Sequence, residues 1–185
     1  MTTTVYYLTG MGGRLHTGLG QALASRGLNV MGRELVGEFR SIDFQDQIDT
    51  VASDLQQHYW SPNGRVIANS FGAYLFLHAQ VLLGEPYIGQ VTLLSPILGE
   101  FVNDDEVRPM NFIPPQAEKL LELAKSGRFP VPVNCDIHTG AEDWQSCANS
   151  QSFGEMVGIK VHVVEAAGHM LPKAYVSHLM EGWAT

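Results

Sequence analysis

Residues 65–77 read RVIANSFGAYLFL, in which a short apolar run meets a longer apolar run at Ser70. The first run, residues 65–68, suits a buried strand, and the second, residues 71–83, is long enough for a buried helix. Ser70 therefore lies at a predicted strand-to-helix turn. Such a turn strains its central residue and has no room for bulky groups two residues away, where this chain has Ala68 and Gly72.

Five other short runs resemble the one at residues 65–68, because each is apolar without the strict polar alternation of a half-buried strand. They lie at residues 5–8, 28–31, 90–94, 134–138 and 161–164. Segments of helical period separate most of these runs, as where Leu15, Leu19 and Leu23 share one helix face. Alternating strands and helices predict an α/β fold, a three-layer α/β/α sandwich built on a six-stranded parallel sheet.

The chain length predicts a single domain. Its 185 residues leave little room for two independent cores, so we expect one domain over residues 1–185. The least regular part is a possible lid-like excursion at residues 99–130, which contains the acidic run Asn-Asp-Asp-Glu at residues 103–106. A small lid over a site and a solvated surface connection are both open interpretations of this segment.

The charge balance bears on the possible partners. The chain carries 19 acidic and 11 basic residues, and a net charge of −8 has the wrong sign for binding nucleic acid or anionic lipid. We find neither an apolar stretch long enough for a membrane span nor a secretion signal, and two cysteines do not make a disulfide framework. These features predict a cytoplasmic protein with no nucleic-acid partner, and they leave its oligomeric state open.

Ser70 fits two roles, an N-cap of the predicted helix or a nucleophile. A serine hydroxyl reacts only when a base takes its proton, and the chain has seven histidines. His169 alone lies in a loop after a predicted strand, at the carboxyl edge where parallel sheets bind ligands. The base needs a carboxylate in turn, and Asp143 follows the fifth predicted strand, with Glu142 beside it as an alternative.

The first predicted strand leads into a glycine-rich loop, LTGMGGRL at residues 8–15. As a dinucleotide-binding loop it lacks the third glycine, because Leu15 stands there, although Glu34 lies near where a ribose-binding acid belongs. As an oxyanion loop it needs only an exposed amide. The backbone N–H groups of Met11 and Phe71 would then point together at a tetrahedral intermediate.

A metal site is another possible interpretation of the reactive side chains. Cys135, His138 and His162 are the candidate ligands, but residues 135 and 138 of one strand point to opposite faces. Their spacing also matches no common zinc motif. We therefore expect no metal at these residues.

Ser70, Asp143 and His169, in that chain order and each after a predicted strand, resemble the α/β-hydrolase superfamily. The chain is similar to its small serine-hydrolase members without a large cap domain. The resemblance extends from about residue 5 to residue 183, and it implies that Ser70 is the nucleophile, Asp143 the acid and His169 the base. It also implies an oxyanion hole formed by the N–H groups of Met11 and Phe71.

The resemblance implies a minimal version of this fold, with strand order 2-1-3-4-5-6. The sequence departs from the family pattern at two positions. Thr9 precedes Gly10, where the family often has histidine, and Ala68 stands in place of the first glycine of the nucleophile turn. Neither removes a catalytic atom. The implied activity is hydrolysis of an ester or thioester through an acyl-enzyme, with a small-molecule acyl substrate and no cofactor. The alternative is a non-catalytic binding or scaffold module on the same fold.

Overall fold

The computed structural model describes residues 3–103 and 110–183 and contains one six-stranded parallel sheet. In chain order the strands are β1 (Thr4–Met11), β2 (Asn29–Leu35), β3 (Arg65–Asn69), β4 (Gln90–Leu94), β5 (Phe101–Asn103), β6 (Met110–Phe112), β7 (Asn134–Gly140) and β8 (Lys160–Val164). The sheet order is β2-β1-β3-β4-β7-β8, and β5 pairs with β6 as a separate antiparallel hairpin. The predicted six-stranded parallel sheet and its order are confirmed, because these six strands are the six predicted runs.

Helices cover both faces of the sheet, which confirms the predicted three-layer arrangement. They are α1 (Gly18–Ala24), α2 (Gly37–Ser41), α3 (Phe44–Asp54) with a π-helical turn at Leu55–Tyr59, α4 (Phe71–Leu83), α5 (Lys119–Lys125), α6 (Cys147–Val157) and α7 (Lys173–Leu179) with a 3-10 turn at Met180–Trp183. Side chains of α3, α4, α5 and α6 form the larger apolar cluster on one face. Those of α1 and α7 form the smaller cluster on the other. No helix within the described residues is long and apolar enough to cross a membrane.

Helix α4 is the central helix of the larger layer, and its first ten residues are all buried. Its sequence is apolar around the whole circumference, as expected for a helix enclosed by neighbours. Gly72 lets the helix approach the sheet, because a Cβ there would lie 2.4 Å from the carbonyl oxygens of Leu8 and Thr9 on β1. The start of α4 is therefore held directly against the end of β1, where the candidate site lies.

The structure also contains elements that the sequence pattern did not predict. Helix α6 was missed because its first six residues are Cys-Ala-Asn-Ser-Gln-Ser, mostly weak helix formers with little apolar periodicity. The segment at residues 99–130 includes the β5–β6 pair and α5, which begins at Lys119. Its acidic residues Asp104, Asp105 and Glu106 lie outside the described residues, and the lid interpretation stays a prediction.

Candidate active site

Ser70 lies at the turn between β3 and α4 with a strained backbone, at φ 53° and ψ −117°. A non-glycine residue at positive φ costs about 1–3 kcal/mol and persists only where its neighbours impose it. Here the Ser70 N–H donates to the Leu94 carbonyl at 2.9 Å, and the Ser70 carbonyl accepts from the N–H of Ile97 at 3.2 Å. Hydrogen bonds to the end of β4 and the segment that follows it thus hold the turn on both sides.

His169 connects Ser70 to Asp143. Its Nε2 lies 2.9 Å from Ser70 Oγ, and its Nδ1 lies 2.9 Å from Asp143 Oδ2. The imidazole is one-quarter exposed, whereas the Asp143 side chain is fully buried. His169 follows a turn in which Ala166 takes positive φ, at 52°. A neutral imidazole with its proton on Nδ1 would donate to the carboxylate and accept a hydrogen bond from the Ser70 hydroxyl at Nε2.

Asp143 is fixed on both sides of its carboxylate. Oδ2 faces His169, and Oδ1 accepts the backbone N–H of Gln145 at 3.0 Å, so both oxygens of this buried group have a donor. Glu142, the alternative acid, is exposed, and its backbone N–H donates to the Ala167 carbonyl at 2.8 Å. The turn after β7 therefore directs Asp143 towards the imidazole and Glu142 towards solvent.

Met11 and Phe71, whose backbone amides are expected to meet a developing negative charge, follow two residues that contact each other, Gly10 and Ser70. A Cβ at Gly10 would lie 3.2 Å from Ser70 Cβ, so the end of β1 contacts the nucleophile turn. Met11 is the last residue of β1, which extends further than predicted. Phe71 is the first residue of α4, where an amide N–H has no acceptor within the helix. The role of these two amides stays a prediction.

The dinucleotide reading of the glycine-rich loop is weakened by the position of Glu34. Its carboxylate accepts the backbone N–H of Leu15 at 2.7 Å and lies 3.8 Å from the Arg14 guanidinium. The acid that would have bound a ribose therefore fastens the loop after β1 to β2.

Only two of the three candidate metal ligands are brought together. Cys135 packs against the larger apolar cluster. His138 lies on the opposite face, where its ring stacks on His162 at 4.5 Å and its Nδ1 lies 2.7 Å from Tyr175 Oη. Within residues 3–103 and 110–183, no group of three histidine, cysteine or acidic side chains is placed to hold a metal ion.

A cleft of about 280 Å³ lies next to Met11 and Phe71. Its lining includes Phe112 of β6 and residues from α2, α3 and the junction between them, none of which was predicted as a site residue. The cleft is lined by Met11, Arg40, Ile42, Asp43, Phe44, Gln47, Phe71, Phe112 and Pro115. Two other apolar residues that follow strands of the sheet do not line the cleft, since Ile97 is buried in the core and Met170 is 87% exposed.

A larger depression of about 840 Å³ lies at the opposite edge of the sheet. It is lined by the residues that begin the strands, among them Thr4, Asn29, Arg65, Gln90 and Asn134. Ser70, Asp143 and His169 follow the carboxyl ends of strands instead. The smaller cleft is therefore the one adjoining the candidate site.

No family model and no curated protein matches the chain by sequence. Solved structures do match its fold. A structure of carboxylesterases from the thaumarchaeon Nitrososphaera gargenis matches with a TM-score of 0.65 at 15% identity, over 99% of this chain and 90% of that one. The ydeN gene product of B. subtilis matches with a TM-score of 0.64 at 12% identity, over 98% of both chains.

A third match is the monoacylglycerol lipase of Paleococcus ferrophilus, with a TM-score of 0.60 at 13% identity, over 98% of this chain and 93% of that one. A solved structure from Xanthomonas campestris, described as a hydrolase of the alpha/beta superfamily, gives 0.60 at 13% identity. Nearly the whole chain is covered in each case. The parallel sheet, its strand order and these matches together give the chain the fold of the α/β-hydrolase superfamily.

Proposed function

We propose that this protein is a serine hydrolase that cleaves an ester or thioester through an acyl-enzyme on Ser70. The observation that carries the proposal is the continuous line of hydrogen-bonding contacts from Ser70 Oγ through His169 to Asp143, with both steps at 2.9 Å. A line of this kind is what a serine needs to lose its proton as it attacks. The hydrolases among the structural matches support the same reaction class.

In the acylation step, Ser70 Oγ attacks the substrate carbonyl carbon while His169 Nε2 takes the hydroxyl proton. The carbonyl oxygen becomes an oxyanion, which the N–H groups of Met11 and Phe71 stabilise. Asp143 holds the imidazole in the tautomer that accepts the proton and stabilises the imidazolium. The bond to the leaving group then breaks, and His169 returns the proton to the departing alkoxide or thiolate.

In the deacylation step, water takes the place of the leaving group. His169 removes a proton from the water as it attacks the acyl carbon, a second oxyanion forms at the same two amides, and the bond to Ser70 Oγ breaks. The carboxylic acid leaves and Ser70 recovers its proton. Each step uses only side chains and amides of this chain and the incoming water.

The test is intact-mass analysis after treatment with a fluorophosphonate, a reagent that phosphonylates activated serines. We expect one adduct on the wild-type protein and none on Ser70→Ala. His169→Ala should label at least 100-fold more slowly, because general-base catalysis contributes about 10²–10⁴-fold.

The matched controls are Ser126→Ala and His178→Ala, which change an exposed serine and an exposed histidine away from the site. Both should label like the wild type. A folded wild-type protein that takes up no reagent would contradict the proposal and favour the non-catalytic binding module. An adduct that persists in Ser70→Ala would assign the reactivity to another residue.

A further inference from the structure

We infer that the cleft beside Met11 and Phe71 binds the acyl part of the substrate, and that this part is a short, uncharged, apolar chain such as butanoyl or hexanoyl. The inference rests on the proposed function and extends it to the substrate class. Three observations carry it: the position of the cleft relative to His169, its lining, and its size.

The position of the cleft distinguishes the acyl side from the leaving-group side. His169 must protonate the leaving group, so that group lies next to the imidazole. The carbonyl oxygen lies at the Met11 and Phe71 amides, and one substituent of the carbonyl carbon remains, which is the acyl chain. The cleft is lined by Met11 and Phe71, whereas neither His169 nor its neighbour Met170 is among its lining residues. The cleft therefore lies on the acyl side.

The lining of the cleft is mostly apolar. Ile42, Phe44, Phe71 and Phe112 contribute hydrocarbon surface, and the Phe44 and Phe71 rings contact each other edge to face, 5.9 Å between centroids. Gln47 is 95% buried, and its Nε2 donates to the Phe39 carbonyl at 2.7 Å, so its amide nitrogen is already occupied. Burial of apolar substrate surface against this lining therefore contributes most to the free energy of binding.

The charged residues at the cleft do not select a charged chain. Arg40 and Asp43 are both exposed and carry opposite signs, so they leave no net charge at the mouth. A carboxylate or an ammonium group buried between the aromatic rings would be unpaired, which is strongly unfavourable. The acyl chain is therefore uncharged.

The size of the cleft limits the chain. Pockets for drug-sized ligands start at about 300 Å³, and this cleft lies at that lower end with about 280 Å³. A butanoyl or hexanoyl chain fits such a volume, whereas the outer half of a dodecanoyl chain would remain in water. We therefore expect kcat/KM to decline with increasing acyl chain length once the chain fills the cleft.

The experiment measures kcat/KM for p-nitrophenyl acetate, butanoate, hexanoate and dodecanoate. For the wild type we expect hexanoate or butanoate to exceed both acetate and dodecanoate. Ile42→Phe should lower the ratio of kcat/KM for hexanoate to kcat/KM for acetate about 15-fold. The larger ring should exclude about two methylenes of the acyl chain from the cleft, and each methylene kept from burial is worth about fourfold in kcat/KM. Ile42→Ala should move the preferred chain to a longer one.

The matched control is Ile88→Phe, the same change at an exposed position before β4, at the opposite edge of the sheet. It should leave the ratio unchanged. The inference is overturned if both Ile42 variants, shown to be folded by fluorophosphonate labelling of Ser70, keep the wild-type ratio within twofold, or if the wild type prefers dodecanoate. Loss of Ser70-dependent hydrolysis of every ester would instead refute the proposed function, and this inference with it.

Discussion

At the residue scale, the unusual feature is the backbone of Ser70. Its positive φ is unfavourable for a side chain with a Cβ, and the neighbouring segments impose it through hydrogen bonds to its N–H and its carbonyl. The strained turn puts Oγ within 2.9 Å of His169 Nε2. A plain N-cap role explains less, because the Ser70 side chain makes no capping hydrogen bond to α4.

Asp143→Asn tests the role of the carboxylate. An amide at this position no longer favours the His169 tautomer that accepts the Ser70 proton, so we expect kcat to fall about 10³–10⁴-fold with the fold intact. The measurement is ester hydrolysis together with thermal unfolding of both proteins. Glu142→Gln, one residue away and exposed, is the control and should retain activity within twofold. A loss below tenfold in Asp143→Asn would contradict the assignment.

The three side chains at this site were predictable because each follows a strand of the parallel sheet, and parallel strands bring their carboxyl ends to one edge. The choice of Asp143 over Glu142 could not be read from adjacent letters, since it depends on how the turn after β7 folds. Ile42 and Phe44 were not predicted at all. They reach the cleft through the junction of α2 and α3, and a tertiary contact of that kind leaves no local pattern in the sequence.

At the element scale, the edge strand β2 is fastened to helix α3 by a charged network. Arg33 on β2 binds Asp54 at the end of α3 through Nε at 2.7 Å and a second nitrogen at 2.8 Å, and Tyr6 Oη donates to the same carboxylate at 2.6 Å. Burial raises the pKa of Asp54, but the hydrogen bonds from Arg33 and Tyr6 outweigh it and hold that pKa below its usual value. The carboxylate is thus ionised and paired.

Arg33→Met tests this connection. It leaves a largely buried carboxylate without its cation, and because the guanidinium is 39% exposed we expect a loss of only about 1–2 kcal/mol at neutral pH. A depressed acid pKa contributes stability above the unfolded value of about 3.9 and loses it as the pH falls, so the difference should shrink below pH ~4. Urea unfolding at pH 7 and pH 3.5 measures both effects.

The control for this change is Arg128→Met, which removes an exposed arginine whose guanidinium contacts Ser126. It should alter the free energy of unfolding by less than about 0.5 kcal/mol. An Arg33→Met protein as stable as the wild type at pH 7 would show that the network is not stabilising.

Among the elements, the central strands β1, β3 and β4 and helix α4 were the most predictable, because burial on all sides leaves a largely apolar sequence. Strand ends were less predictable. β1 and β2 extend to Met11 and Leu35, beyond their apolar runs, where the pairing register shifts after Leu8 and the Leu35 N–H donates to Thr9 Oγ1 at 3.0 Å. Helix α6 was not predicted because few of its residues are buried, and Phe153 is the one large apolar side chain among the buried ones.

At the scale of the whole molecule, each layer encloses a histidine. His78 on α4 lies in the larger layer with Phe44 and Tyr74 at 5.2 Å and 4.3 Å between ring centroids, and neither ring nitrogen has a hydrogen-bond partner among the described residues. His138 lies in the opposite layer beside α7. Burial lowers the pKa of His78 to about 3, with Lys119 adding to the shift, and burial lowers that of His138 to about 4, with His162 adding.

From these two histidines we expect the fold to lose stability in mild acid. At a pH between the folded pKa of each histidine and its unfolded pKa of about 6.5, the unfolded chain binds more protons than the folded one. The free energy of unfolding is therefore highest above pH ~6.5 and falls as the pH drops, by about 2 kcal/mol per histidine from pH 7 to pH 5. His78→Phe should reduce the loss of unfolding free energy between pH 7 and pH 5 by the part that His78 contributes, about 2 kcal/mol. Urea unfolding at both pH values measures this difference. The exposed His178→Phe is the control and should keep the wild-type loss. An unchanged loss in His78→Phe would show that His78 is not a source of the acid sensitivity.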